Sequence, residues 1–126
     1  LGHTFAHAYE ASLGFSKRLN HGEAVILGIK SSLNFSYQKK LISKNNRNSI
    51  INHINKSNSE FRINKFFKLK DVNKIISFML KDKKNNSNKI SLVLLKKIGY
   101  PIINQEYDKA SLGSFLKNQL RNQNLN

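Results

Sequence analysis

Three of the four histidines fall within the first 21 residues, at His3, His7 and His21. Four positions separate His3 from His7, so a helix projects both rings from one face, a turn apart. His21 follows a loop, in the run His21-Gly22-Glu23, at the expected start of a second helix. Two antiparallel helices would bring His3 and His21 together, the arrangement a divalent metal centre needs. There is no Cys, so disulfides are excluded and any metal must be held by His and carboxylates. A bare H-x-x-x-H is more often incidental than metal-binding. It also differs from the zinc-protease motif, because Thr4 stands where that motif has its Glu.

The elements that must hold these residues can be read from periodicity. Gly2 to Leu13 lacks Pro and suits a helix, with Gly14 as its C-terminal stop. Phe15 to Asn20 reads as a loop. A second helix is expected from about Gly22 to Leu41. Val25, Ile26, Ile29, Leu33 and Tyr37 supply much of its buried face, and Gly28 permits a close helix contact. Ser43 can cap a third helix that carries Ile50, Ile51 and Ile54 inward. Residues 57–69 read as a loop with a short helix. Asp71 opens an amphipathic helix with Val72, Ile75, Ile76, Met79 and Leu80 on one side. Residues 90–95 are short, apolar and rich in strand formers. Gly99-Tyr100-Pro101 breaks that strand, and Ile102-Ile103 forms a second short one. A last helix spans Asp108 to Arg121, with Leu112, Phe115, Leu116 and Leu120 inward, and residues 122–126 are expected to fray. The fold class expected is mainly α with a small β element.

Composition narrows the partners. The chain has 126 residues, 39% of them hydrophobic, enough for one domain with a core. No apolar run approaches the roughly 18 residues that a membrane span requires. No cationic-then-apolar leader is visible, and a cytoplasmic location is expected. The chain begins at Leu1, inside what reads as a motif, so an upstream part is also expected. The formal net charge of +15 comes mostly from Lys, in stretches such as 43–48 that are crowded with Asn and Ser. A solvated lysine-rich surface accounts for it, and an anionic small substrate would benefit from the field. A basic nucleic-acid-binding module would need Arg and aromatics on one face, whereas Arg18, Arg47, Arg62 and Arg121 are scattered.

The residues around the histidines carry more than their spacing does. Leu1-Gly2-His3-Thr4-Phe5-Ala6-His7-Ala8-Tyr9-Glu10-Ala11, then Gly14-Phe15, then His21-Gly22-Glu23-Ala24-Val25, closely resembles the signature of the 3-dehydroquinate synthases. Downstream, Asp82-Lys83-Lys84, a spacer, Leu92-Val93-Leu94-Leu95 and Ile98-Gly99 resembles the late motif of the same family. One departure is Ala6, where the family usually has Gly; its methyl could crowd a close backbone contact.

In overall plan that family is similar to the iron-dependent alcohol and glycerol dehydrogenases. An N-terminal α/β domain binds NAD, a helical C-terminal domain supplies metal ligands, and substrate sits in the cleft. The resemblance implies that residues 1–126 are the single C-terminal metal- and substrate-binding domain, without the NAD-binding domain. It makes His3 and His21 ligands of Zn²⁺ (or Co²⁺), with a third ligand, a Glu, from the upstream part. His7 becomes the substrate-contacting histidine involved in proton movement. One lysine of Lys83 and Lys84 contacts a substrate anion, with Lys84 slightly favoured. The implied reaction converts 3-deoxy-D-arabino-heptulosonate 7-phosphate to 3-dehydroquinate and phosphate, in the shikimate pathway of aromatic amino acid biosynthesis. The implied cofactors are NAD and the metal. The partners are the sugar-phosphate substrate, the N-terminal domain of the same protein and a second copy in a homodimer, with neither nucleic acid nor membrane. The isolated 126 residues are expected to be inert.

Other cyclases, such as deoxy-inosose or valiolone synthases, share the metal motif, while glycerol dehydrogenases lack the Lys-Lys motif. Glu10 is expected to be structural, hydrogen-bonding a neighbouring His. For Glu23, orienting His21 and favouring a helix N-terminus stand equal. His53 is given no role.

Overall fold

The computed structural model describes residues 1–58, 62–81 and 89–121. Among these, α1 (His3–Ser12), α2 (His21–Gln38), α3 (Lys44–Asn58), α4 (Val72–Lys81) and α5 (Lys109–Arg121) are helices. Strands β1 (Lys89–Lys97) and β2 (Tyr100–Asp108) form one antiparallel pair between α4 and α5 in the chain. The fold is mainly α with a small β element.

The helix boundaries follow from their caps. Gly2 is not helical but holds the left-handed conformation that precedes α1, at φ 79°. Gly14 and Phe15 both take positive φ and end that first helical segment. The second helix starts one residue earlier than periodicity suggests, because Asn20 and Glu23 form a reciprocal capping box. Asn20 Oδ1 accepts from the Glu23 backbone at 2.8 Å, and the Glu23 carboxylate accepts from the Asn20 backbone at 3.0 Å. Ser43 caps α3 through Oγ, which accepts from Asn46 N, and Asp108 caps α5 by accepting from Ser111 N.

Helix α2 departs most from expectation. Val25, Ile26, Ile29 and Tyr37 are only half-buried, whereas Ala24, Leu27, Ser31, Ser32, Asn34, Phe35 and Ser36 are buried. The cause is its central place: α1, α3 and β1 all pack on it, so it has no single apolar face. Its buried hydroxyls are used. Ser36 Oγ donates to the Ser32 carbonyl at 2.7 Å and accepts from Leu95 N at 3.1 Å, so it serves a backbone donor of β1. Ser31 Oγ meets Tyr9 OH at 2.6 Å and accepts from Gln119 Nε2 at 3.1 Å. Three helices are joined there inside the core.

The hairpin is longer than the two short strands expected. Its second strand runs on through Pro101 and polar residues to Asp108, which pairs with Lys89. Polar side chains hid it, since a two-stranded ribbon need bury only one face. Register shifts at Leu92/Leu94 and Leu95/Lys97 mark irregularities in β1. Leu94 belongs to the main core with Phe5, Tyr9, Phe35, Ile75 and Phe115. Its neighbour Leu95 joins a second cluster with Leu33 and Ile42, on which Ile50, Ile51 and Ile54 of α3 pack. Successive strand residues point to opposite faces, so one strand serves both clusters.

Candidate metal and substrate site

The crossing of α1 and α2 brings their residues into register. A Cβ added at Gly28 would lie 2.4 Å from Gly2 O and 3.0 Å from both Ala6 Cβ and Ala6 N. One added at Gly2 would lie 2.6 Å from Gly28 C and Ile29 N. The start of α1 is therefore seated on the middle of α2. Ala6 is accommodated there: its methyl is buried against the side of α2 where Gly28 has none. At the other end of α1, Glu10 meets His21 at the start of α2, so the helices run antiparallel. Thr4 Oγ1 also donates to the Ser91 carbonyl at 3.4 Å, linking α1 to the hairpin.

His3, His7 and Glu10 share one face of α1, within an arc of about 60° by helix geometry. The His3 and His7 rings lie 4.0 Å apart between centroids. His21 Nδ1 donates to the Glu10 carboxylate, with both oxygens at 3.2 Å. The His21 side chain is 73% exposed, whereas that of Glu10 is 13% exposed. The carboxylate is thus the anchored partner and the ring the one it positions. Glu10 hydrogen-bonds a neighbouring His as expected, and of the two roles open for Glu23 the structure shows the helix cap. His3, His7, Glu10 and His21 form one polar track along α1, not a closed cluster. Among the described residues, no three His, Asp or Glu side chains converge as a metal cage.

The donors present nevertheless suit a divalent metal. A carboxylate on Nδ1 fixes the tautomer of His21 and leaves Nε2 as the nitrogen for a ligand bond. His3 offers a second imidazole, and neutral imidazole suits zinc. Two donors are fewer than a zinc site requires.

Three hollows lie near these elements. A small cleft of about 30 Å³ beside His3 is lined by Leu1, Thr4 and Val93, among others. A pocket of about 230 Å³ is lined by His7, Ala11, Phe15, Phe78 and Lys81. A wider groove of about 900 Å³ between α4 and α5 carries, among the described residues, Lys109, Lys117 and Arg121 but no His, Asp or Glu. It lacks the groups for acid–base or metal chemistry, so the histidine face of α1 is the better candidate site. Lys83 and Lys84 lie outside the described residues. Lys81, just before them, does reach the His7 pocket; its adjacency to Asp82-Lys83-Lys84 was the available signal. His53 is exposed on α3.

A family profile described as 3-dehydroquinate synthase C-terminal matches residues 1–85, from α1 past the end of α4. The chain belongs to the 3-dehydroquinate synthase C-terminal family. Members of that name are similar along nearly the whole chain. A 3-dehydroquinate synthase of Pelagibacter ubique is 53% identical over 119 residues, covering 94% of this chain and 32% of its own length. Those of Zymomonas mobilis and Bradyrhizobium diazoefficiens are 33% and 32% identical, each over 95% of this chain. The chain spans about a third of the length of these 3-dehydroquinate synthases.

Proposed function

We propose that residues 1–126 are the C-terminal metal- and substrate-binding domain of a cytoplasmic 3-dehydroquinate synthase. The full-length protein would turn 3-deoxy-D-arabino-heptulosonate 7-phosphate into 3-dehydroquinate and phosphate. The observation that carries this reading is the Glu10–His21 pair, at the far end of the helix face that also carries His3 and His7, on the segment that the family profile covers. It is a carboxylate-oriented imidazole where a family member's metal ligand is expected.

In this reading His3 and His21 hold Zn²⁺ (or Co²⁺), together with a carboxylate from the preceding part of the protein. When bound, the metal supplies Lewis acidity to a substrate hydroxyl, lowering its pKa. NAD would be held outside these residues and would supply reversible hydride acceptance. His7 moves a proton at a substrate oxygen through a ring nitrogen, work suited to a group that titrates near neutrality. Glu10 holds the His21 ring in place. Lys84 or Lys83 provides an anion contact, so that substrate is held in a reactive pose. The partners are the sugar phosphate, the N-terminal domain and a second copy of the full-length chain.

The test is made on the full-length protein. Wild type is expected to release phosphate and 3-dehydroquinate from the heptulosonate substrate and to retain one metal per chain. His21→Ala should lose metal and activity together while keeping its far-UV circular dichroism. A variant that kept its full metal content would remove His21 from the ligand set. Absence of 3-dehydroquinate from wild type would reject the reaction.

A further inference from the structure

The hairpin turns one face to the core and the other away from it. On β1, Ile90, Leu92 and Leu94 are buried, so Lys89, Ser91 and Val93 face outward. Lys89 pairs with Asp108 and Ser91 with Glu106, which makes that end of the outer face polar. A ribbon with one solvated face is expected to be polar throughout on that side. Further along, the pattern breaks. Val93 is 38% exposed and Ile103 is 62% exposed. Val93 lies between the pairs Leu92–Gln105 and Leu94–Ile102, where β2 has one residue more than β1, and Ile103 stands in that longer stretch. Both side chains therefore leave the sheet on its outer side, as neighbours across the ladder.

Leu1 extends this patch. It is 42% exposed and lines a small cleft together with Leu92 and Val93. The bond from Thr4 Oγ1 to the Ser91 carbonyl ties the start of α1 to the edge of β1. Apolar residues scattered singly over a surface need no explanation, but adjoining ones mark a contact. The apolar residues of the turn have neighbours of their own. Ile98 lines a hollow with Asn46, Ser49 and Ile50 of α3, and the Lys97 ammonium lies 4.4 Å from the centre of the Tyr100 ring.

We infer that Leu1, Val93 and Ile103 form a docking face, covered by the part of the full-length protein that precedes Leu1. The chain spans about a third of its relatives' length, and the inference rests on the reading above that a longer protein contains it. A residue joined to Leu1 has its Cα about 3.8 Å away, so a preceding segment starts beside Val93. A tethered segment meets this face at high effective concentration, which a second copy has to match from solution. The occupant presents an apolar side to Val93 and Ile103, with Ser91 and Glu106 as a polar rim.

The experiment uses full-length Ile103→Cys and follows maleimide labelling of the peptide that carries position 103 by mass spectrometry. The thiol should react about tenfold more slowly or less in the native protein than in urea, at every protein concentration. Separately, photoleucine at position 103 keeps the apolar contact, and illumination should join it to a peptide preceding Leu1 in a product of monomer mass. Labelling as fast in the native protein as in urea would overturn the inference. So would protection that disappears on dilution, or a cross-linked product of dimer mass, since either assigns the face to a second copy. A cross-link confined to residues 1–126 would overturn it too. A protein that makes no 3-dehydroquinate yet gives the upstream cross-link would reject the reaction and leave the docking face standing.

Discussion

Glu10 and Glu23 lie near the same imidazole, and the structure gives them different work. Glu23 closes the capping box of α2 on Asn20, while both oxygens of Glu10 face His21 Nδ1. In the full-length protein, Glu10→Gln should weaken metal retention by about 10- to 100-fold in competition with a chelator, because the amide cannot hold the ring with a charge. Glu23→Gln should leave metal retention unchanged and lower stability by about 1 kcal/mol at most, since Gln still serves a capping box. Equal metal loss in the two variants would show that His21 needs only an intact helix start. Burial pushes the Tyr9 phenol well above its ordinary range, against the opposing effect of its bond to Ser31. The phenol therefore stays protonated as part of the core linkage to Ser31.

At the scale of elements, the site depends on how closely α1 approaches α2. Gly28 sits beside Gly2 O and the Ala6 methyl, so Gly28→Ala must push α1 outward. Overpacking of this kind costs about 1–3 kcal/mol. Gly113, in α5, has nothing within 4 Å of an added Cβ. Gly113→Ala should instead raise stability by up to about 1 kcal/mol, from helix propensity alone. Thermal unfolding of the two variants checks the contrast, and a Gly28→Ala protein as stable as Gly113→Ala would refute the tight crossing. Displacing α1 also moves His3 and His7 relative to His21, so Gly28→Ala should weaken metal retention as well.

For the whole molecule, the decisive fact is that the chain spans about a third of the relatives' length. Its two imidazole donors are too few for a zinc site, and no described helix is long and apolar enough to cross a membrane. Supplied with NAD, zinc and the heptulosonate phosphate, the isolated 126 residues should form no detectable 3-dehydroquinate. Turnover by this chain alone would reject the proposed need for a further metal donor and an NAD-binding domain. Arg18 is engaged with the Lys65 carbonyl and Phe66, and Arg47 lies 4.3 Å over Tyr37. These guanidinium groups support packing.

The sequence alone was enough for the family, the helical class and the residues to watch, because these depend on local order. His3, His7 and His21 stand in a recognisable run, α4 shows its apolar stripe, and Ser43 announces its cap. Local order could not reveal that α2 is surrounded, since burial of Ser31, Ser32 and Ser36 depends on hydrogen-bond partners as distant in sequence as Leu95 and Gln119. Nor could it choose between the two roles open for Glu23, or bring Lys81 to His7 across 74 positions in the chain. Those outcomes were decided when α1 settled into the groove that Gly28 leaves open, because a side chain's partners are set by which helices pack together.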